Sequence, residues 1–285
     1  MERGTTMEAL KGAAVSAAIK EQVQNRLAEL GGYIPTLAII RVGEKPDDIS
    51  YEKGAMKKMA SFGLNVQSYT FPEDISDALF KEEFAKINAD KAIDGILMLR
   101  PLPKHICEKD IEKMIDPAKD LDGISPENIA KVFAGDSTGF APCTAEAVIE
   151  VLKAYNIPMQ GKRVTVVGRS MVVGKPLSML FVKENATVTI CHTRTADLKA
   201  ECSRAEILVA AAGRARMLDG SYAGKDAVVI DVGINVDGNG RLCGDVDYES
   251  LEGIASMATP VPGGVGAVTT AVLAKHLVQA AVGRK

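Results

Sequence analysis

Gly168, Arg169, Ser170 and Gly174 punctuate the stretch VTVVGRSMVVGKPLSML, residues 164–180, where an apolar run gives way to an amphipathic one. Glycine at such a strand-to-helix turn lets the backbone approach a ligand closely. The helix start adds unpaired N–H groups and a partial positive charge, a setting suited to phosphate. Ser170 stands where a common dinucleotide fingerprint has its second glycine, and offers a hydroxyl instead. By itself the pattern fits a plain structural corner as well as a phosphate seat. The next strand end shifts the balance, because His192, Thr193, Arg194 and Thr195 follow it with no carboxylate among them. An acidic residue there suits the ribose hydroxyl of NAD, whereas arginine accommodates a 2′-phosphate. Arg194 and Arg169 therefore point to NADP. His192 also fits a surface loop.

Strand and helix patterns alternate along the chain and supply the frame for these residues. Val15, Ile19, Val23, Leu27 and Leu30 keep helical spacing up to Gly31-Gly32. TLAIIRVG (36–43) reads as a buried strand, EKPDDIS as a polar loop, and 51–62 as a helix. LNVQSYTF and DGILML (94–99) read as further strands, with a helix at 75–88 between them. Residues 101–144 are rich in Pro, Gly, Asp and Lys, the kind of irregular segment that often carries function on a rigid scaffold. After the helix at 144–155, strands are expected at 163–167, 187–191, 207–212 and 227–232. The alternation predicts two α/β domains with mainly parallel, doubly wound sheets, meeting near residue 145. The last helix, about 270–282, is expected to fold back on the first domain.

Composition narrows the function classes. Of 285 residues 47% are apolar and 25% charged, as in soluble globular proteins. A net charge of −3, 5% aromatics and no tryptophan argue against nucleic-acid binding. Five scattered cysteines without a CxxC pair, and only three histidines, argue against a zinc site and for a reduced, cytoplasmic setting. No apolar run reaches the roughly 18 residues of a membrane span, and the N-terminus lacks the apolar core of a secretion signal.

Seven segments occur in order: SYEKGAMKK, DGILMLRPLP, KDLDG, PCTAEAV, GRSMVVGKP, VIDVGIN and TPVPGGVGAVTT. Together they resemble the methylenetetrahydrofolate dehydrogenase/cyclohydrolase family over almost the whole chain. The resemblance implies a folate-binding catalytic domain of residues 1–145 plus 270–285 and a Rossmann-type NADP-binding domain of 146–269. It also implies folate in the cleft between them and a homodimer joined through the nucleotide domains. Tyr51 resembles the tyrosine that lies against the aminobenzoate ring, and Asp122 the aspartate that anchors the pterin. Leu99, Arg100 and Pro101, with Pro262, Gly263 and Gly264 of the second glycine loop, fall at substrate-lining positions. Gly168, Arg169, Ser170, Gly174, His192, Thr193, Arg194 and Ile234 fall at coenzyme positions. Without the resemblance, Asp122 reads as an Asp-Gly turn and Tyr51 as a helix-start packing residue.

Two departures bear on chemistry. Bifunctional members carry a lysine four residues after the tyrosine, where this chain has Ala55, and a glutamine in a QLPLP context, where it has Leu99. Hydride removal from the methylene carbon needs alignment of two carbons and no base. Hydrolysis of the methenyl product needs a group to take a proton from water, worth about 10²–10⁴-fold. Lys58 returns to the Tyr51 face only about 10 Å further along a helix, and Lys57 points roughly 120° away. Arg100 stays protonated. The expectation is an NADP-dependent dehydrogenase with weak or missing cyclohydrolase activity. A fully bifunctional enzyme with a substitute base, a non-catalytic NADP sensor and a dehydrogenase of another substrate are the alternatives.

Overall fold

Unbroken apolar runs such as GILM and ILVA become parallel strands, because a strand covered on both faces has no polar side to keep. The computed structural model describes residues 6–284. Its first elements are β1 (Glu8–Ala9), α1 (Gly12–Glu29), β2 (Thr36–Val42), α2 (Pro46–Phe62), β3 (Asn65–Phe71), α3 (Asp77–Ala89), β4 (Gly95–Met98), α4 (Glu108–Met114), α5 (Pro126–Ala134) and α6 (Cys143–Ala154). There follow β5 (Arg163–Val167), α7 (Gly174–Lys183), β6 (Thr187–Cys191), α8 (Leu198–Ser203), β7 (Ile207–Ala210), β8 (Val228–Asp231), β9 (Asn235–Val236), β10 (Leu242–Cys243), β11 (Met257–Ala258) and α9 (Gly266–Gly283). The chain divides into two units. The first holds residues 18–143 and 270–284, the second residues 6–17 and 144–269.

In the first unit β2 lies between β3 and β4 in a three-stranded parallel sheet. Ala38, Ile40, Phe80, Phe84, Ile96 and Ile111 form the centre of its core. The polar segment EKPDDIS is not a loop throughout, as its composition suggested, because α2 already begins at Pro46. Proline loses nothing at the first helical positions, where its N–H has no partner anyway, and Asp47 and Asp48 favour the positive helix start. The helix buries Glu52, Ala55, Met59 and Phe62, at spacings of three and four residues. Tyr51 sits at the margin of that stripe, 39% exposed.

The second unit is a six-stranded sheet in the order β1-β11-β8-β7-β5-β6, with every pair parallel. β1 belongs to this sheet, so residues 6–17 fall in the second unit. Residues 6–17 group here because Glu8 N–H donates to Ser256 O (2.9 Å) and Leu10 N–H to Ala258 O (2.8 Å), laying β1 beside β11. A two-residue strand is too short to leave a period in the sequence. Residues from Thr270 onward, most of α9, group with the first unit. Among the described residues no helix is long and apolar enough to cross a membrane.

Candidate active site

In the first unit β4 delivers the chain into Leu99, Arg100 and Pro101. Leu99 N–H donates to Ile40 O (2.9 Å), and its side chain is buried. The Arg100 guanidinium lies inside a ring of acids: 3.4 Å from Glu108, 3.7 Å from Glu112 and 4.0 Å from Asp122. Burial pushes the Glu112 carboxyl up, with Arg100 pulling the other way. Pro101 O accepts from the Lys45 ammonium at 3.1 Å.

The KDLDG segment separates into two structural residues and one available one. Lys119 is buried and donates to Asn88 O and Asp90 O, both at 2.6 Å. Asp120 is buried too, accepting the N–H groups of Ile124 (3.0 Å) and Ser125 (2.8 Å) and the Asn128 side-chain amide (2.9 Å). Both therefore shape the loop. Asp122 keeps 24% of its side chain accessible. One of its oxygens accepts the Cys143 N–H at the start of α6 (2.9 Å), and the other faces Arg100. Desolvation pushes its carboxyl up, while the Cys143 N–H and the Arg100 charge hold it down. The turn that presents it needs Gly123, whose φ is +62° and whose missing Cβ would collide with Phe140 O.

Tyr51 belongs to the same cluster. Burial, then the neighbouring Cys143 thiol and Asp122 carboxylate, push its phenol well above the usual range, so at pH 7 it is a neutral hydrogen-bonding group. One turn along α2, Ala55 is wholly buried and presents a methyl. Lys58 lies with its ammonium 5.8 Å from the centre of the Phe62 ring, and burial lowers its pKa. The structure thus gathers Tyr51, Arg100 and Asp122. It adds Cys143, Glu108 and Glu112, which the sequence reading did not single out. PCTAEAV was the only signal for Cys143. Glu108 and Glu112 lie in the irregular segment 101–144, where nothing in the sequence sets them apart from its other acids.

In the second unit the candidates line the carboxyl edge of the sheet. Gly168, just after β5, has φ +144°, and a Cβ there would collide with Ala211 O. A Cβ at Gly174 would collide in turn with Gly168 O. Ser170 Oγ accepts the Val173 N–H at 3.1 Å, which leaves its hydroxyl hydrogen free to donate outward. Arg169 and Ser170 are exposed. Gly168 N–H donates to Cys191 O (2.9 Å), tying this turn to the end of β6. There the His192 ring accepts the Arg194 N–H through Nδ1 (3.1 Å), and His192 N–H donates to Thr195 Oγ1 (2.9 Å). His192 therefore folds the turn, and Thr193 and Arg194 stand exposed on it. Ile234, past β8, is 68% exposed. Pro262, Gly263 and Gly264 belong to this unit as well, in the turn before α9, where Gly263 O accepts the Gly12 N–H at 2.8 Å. The glycine turn at the start of the ten-residue helix α7, with two arginines exposed nearby, fits a phosphate-bearing nucleotide.

Two family models match the chain. The family model described as tetrahydrofolate dehydrogenase/cyclohydrolase, catalytic domain, matches residues 10–122, and its NAD(P)-binding domain matches residues 142–285. A Clostridium kluyveri protein named bifunctional protein FolD is 52% identical over 273 residues, covering 95% of this chain and 96% of its own. The crystal structure of the bifunctional enzyme FolD from Campylobacter jejuni superposes with a TM-score of 0.94 at 36% identity, covering 98% of this chain and 100% of that one. A Trypanosoma brucei methylenetetrahydrofolate dehydrogenase-cyclohydrolase, complexed with NADP cofactor and inhibitor, gives 0.90 at 32% identity, covering 97% and 99%.

Proposed function

The chain belongs to the tetrahydrofolate dehydrogenase/cyclohydrolase family, and from that premise we propose that it oxidises 5,10-methylenetetrahydrofolate to the 5,10-methenyl form with NADP, while hydrolysing the product slowly or not at all. The observation that carries this reading is the Tyr51–Arg100–Asp122 cluster with a methyl, Ala55, where a base would stand.

NADP, when bound, supplies the nicotinamide that accepts the hydride. The turn from Gly168 to Gly174 would hold its phosphates, with the Ser170 hydroxyl as a donor, Arg169, Thr193 and Arg194 placed to meet the 2′-phosphate, and Ile234 beside the coenzyme. The Trypanosoma relative with NADP bound supports this choice. Asp122, its carboxylate fixed by the Cys143 N–H, accepts hydrogen bonds from the pterin. Tyr51, neutral, lies against the aminobenzoate ring. Leu99 and Pro101 line the substrate. Hydride departure leaves a cation delocalised over two nitrogens, and the acids around Arg100 make the surroundings tolerant of that charge. Addition of water would need a proton acceptor, which neither Ala55 nor a guanidinium engaged by three acids supplies.

A second reading, full bifunctionality, is favoured by the name of the Clostridium kluyveri relative and by Glu112, whose raised carboxyl could serve as a substitute base. Initial-rate assays of both reactions on one preparation decide between them. Methenyl hydrolysis at a rate comparable with dehydrogenase turnover sinks the monofunctional reading. No NADPH formation with NADP and methylenetetrahydrofolate sinks both. The exposed Ile190 on the open edge strand β6, with Val182 on α7, supports a homodimer formed through the second unit.

Substitutions at three arginines test the assignments. Arg169→Ala or Arg194→Ala should weaken NADP about tenfold and NAD by much less, since a lost charge-assisted contact to phosphate affects only the phosphorylated coenzyme. Equal losses would mean that neither arginine meets the 2′-phosphate. Arg100→Leu removes the cation that holds the Asp122 carboxyl down, so Asp122 ionises only at higher pH. The acidic limb of the kcat/KM profile should move to higher pH, and Arg100→Lys should keep it in place.

A further inference from the structure

Two buried carboxylates in the second unit have no ion-pair partner among the described residues. Asp231 is 4% exposed and Asp245 is fully buried. Taking such charges out of water is costly unless hydrogen bonds replace the lost hydration. Here the main chain replaces it. Asp231, the last residue of β8, accepts the N–H groups of Gly233 (2.9 Å), Asp245 (3.0 Å) and Val246 (2.9 Å). Burial still pushes its carboxyl up to about 6, those three donors opposing the shift and the nearby Asp245 charge adding to it. Asp245 accepts from Ala212 N (2.5 Å), Gly213 N (2.9 Å), Arg214 N (2.8 Å) and the Asn235 side-chain amide (2.9 Å).

Three successive N–H groups converging on one anion form a nest, a concavity that binds anions. This one is filled by the chain's own carboxylate. Two glycines make room for the arrangement: a Cβ at Gly233 would collide with the Asp245 carboxylate, and one at Gly244 with that of Asp231. That accounts physically for glycine in both VIDVGIN and CGDV. The pinned segment follows β7 directly. Ala211 N–H donates to Val167 O (2.8 Å), and Ala211 O is the atom that closes against Gly168. Asn235 is the neighbour of Ile234, so the same carboxylate also holds the chain leaving β8.

We infer that Asp245, seated by Asp231, is a positioning residue for the nucleotide: its carboxylate fills the amide nest of residues 212–214 and thereby sets the wall against which the Gly168 turn closes. The inference rests on the placement of NADP at that turn. Asp245→Asn keeps the shape but brings an NH₂ among N–H donors. Its KM for NADP should rise about tenfold or more, while kcat and the KM for methylenetetrahydrofolate stay within about threefold. Hydrogen exchange at the amides of Ala212, Gly213 and Arg214 should be slow in the nucleotide-free wild-type protein and at least about tenfold faster in the variant. An unchanged NADP KM in Asp245→Asn, or fast exchange at these amides in the wild type, overturns the inference. The wild-type exchange measurement stands even where the variant does not fold. A wild-type protein that binds no NADP overturns the coenzyme reading itself, whereas normal NADP binding by the variant overturns the role of Asp245 alone.

Discussion

Ala55→Lys together with Leu99→Gln is expected to raise methenyltetrahydrofolate hydrolysis by about 10²–10⁴-fold, the usual worth of a positioned acid or base, with dehydrogenase turnover changed by only a few fold. Ala55 and Tyr51 are four residues apart on α2 and so share a side of the helix. Helical side chains lean toward the N-terminus, which carries a lysine at 55 back over the turn that holds Tyr51 and toward the neighbourhood of Asp122. The Ala55 Cβ is fully buried, so the new side chain must run its methylenes along the apolar stripe and put its ammonium at the margin. Leu99→Gln supplies a hydrogen-bonding amide in place of a buried isobutyl group. Both rates, measured on the double variant and on each single change, separate a restored proton path from general disturbance. Equal changes in the two activities, or no gain in hydrolysis, would mean that the missing base is not what limits the second reaction.

Gly168→Ala is expected to lower kcat/KM for NADP by about 10²-fold, since a displacement of about 1 Å at a positioned ligand has that order of effect. Alanine at φ +144° is strained, and its Cβ would enter the space of Ala211 O. Ala211 cannot retreat alone, because its N–H is bonded to Val167 and the residues after it are bonded to Asp245. The turn must therefore shift as a block. Gly161→Ala is the control: its φ is +73°, but nothing lies within 4 Å of the added methyl. It should show only the stability cost of positive φ, about 1–2 kcal/mol, with NADP kinetics unchanged. Similar NADP kinetics in the two variants would remove the nucleotide from the Gly168 turn.

The strands were the most legible part of the sequence. ILVA and most of TLAIIRV are apolar on both faces, which suits a covered strand, and Pro35 and Gly43 bracket the latter. The start of α2 was not legible from periodicity, because Pro46, Asp47 and Asp48 act through the helix terminus rather than through a buried face. The pairing of β1 with β11 joins residues nearly 250 positions apart through two residues each, a contact without any local pattern. The glycine turn after β5 was readable from its glycines, whose value is local backbone freedom. The acids around Arg100 were not, because the bend after β4 and the placement of α4 bring them together. KDLDG offers two aspartates of identical chemistry; only the fold shows Asp120 buried and engaged by three N–H donors, and Asp122 partly accessible with one oxygen facing Arg100.

The methyl of Ala55 also matters for selective inhibition. An antifolate carrying an aldehyde or an activated ester to capture an amine at this place on the helix would find nothing here to acylate or condense with. The same compound would retain its grip on family members that keep the amine. Differential labelling of the two kinds of enzyme in a mixed culture could then sort organisms by which version they carry.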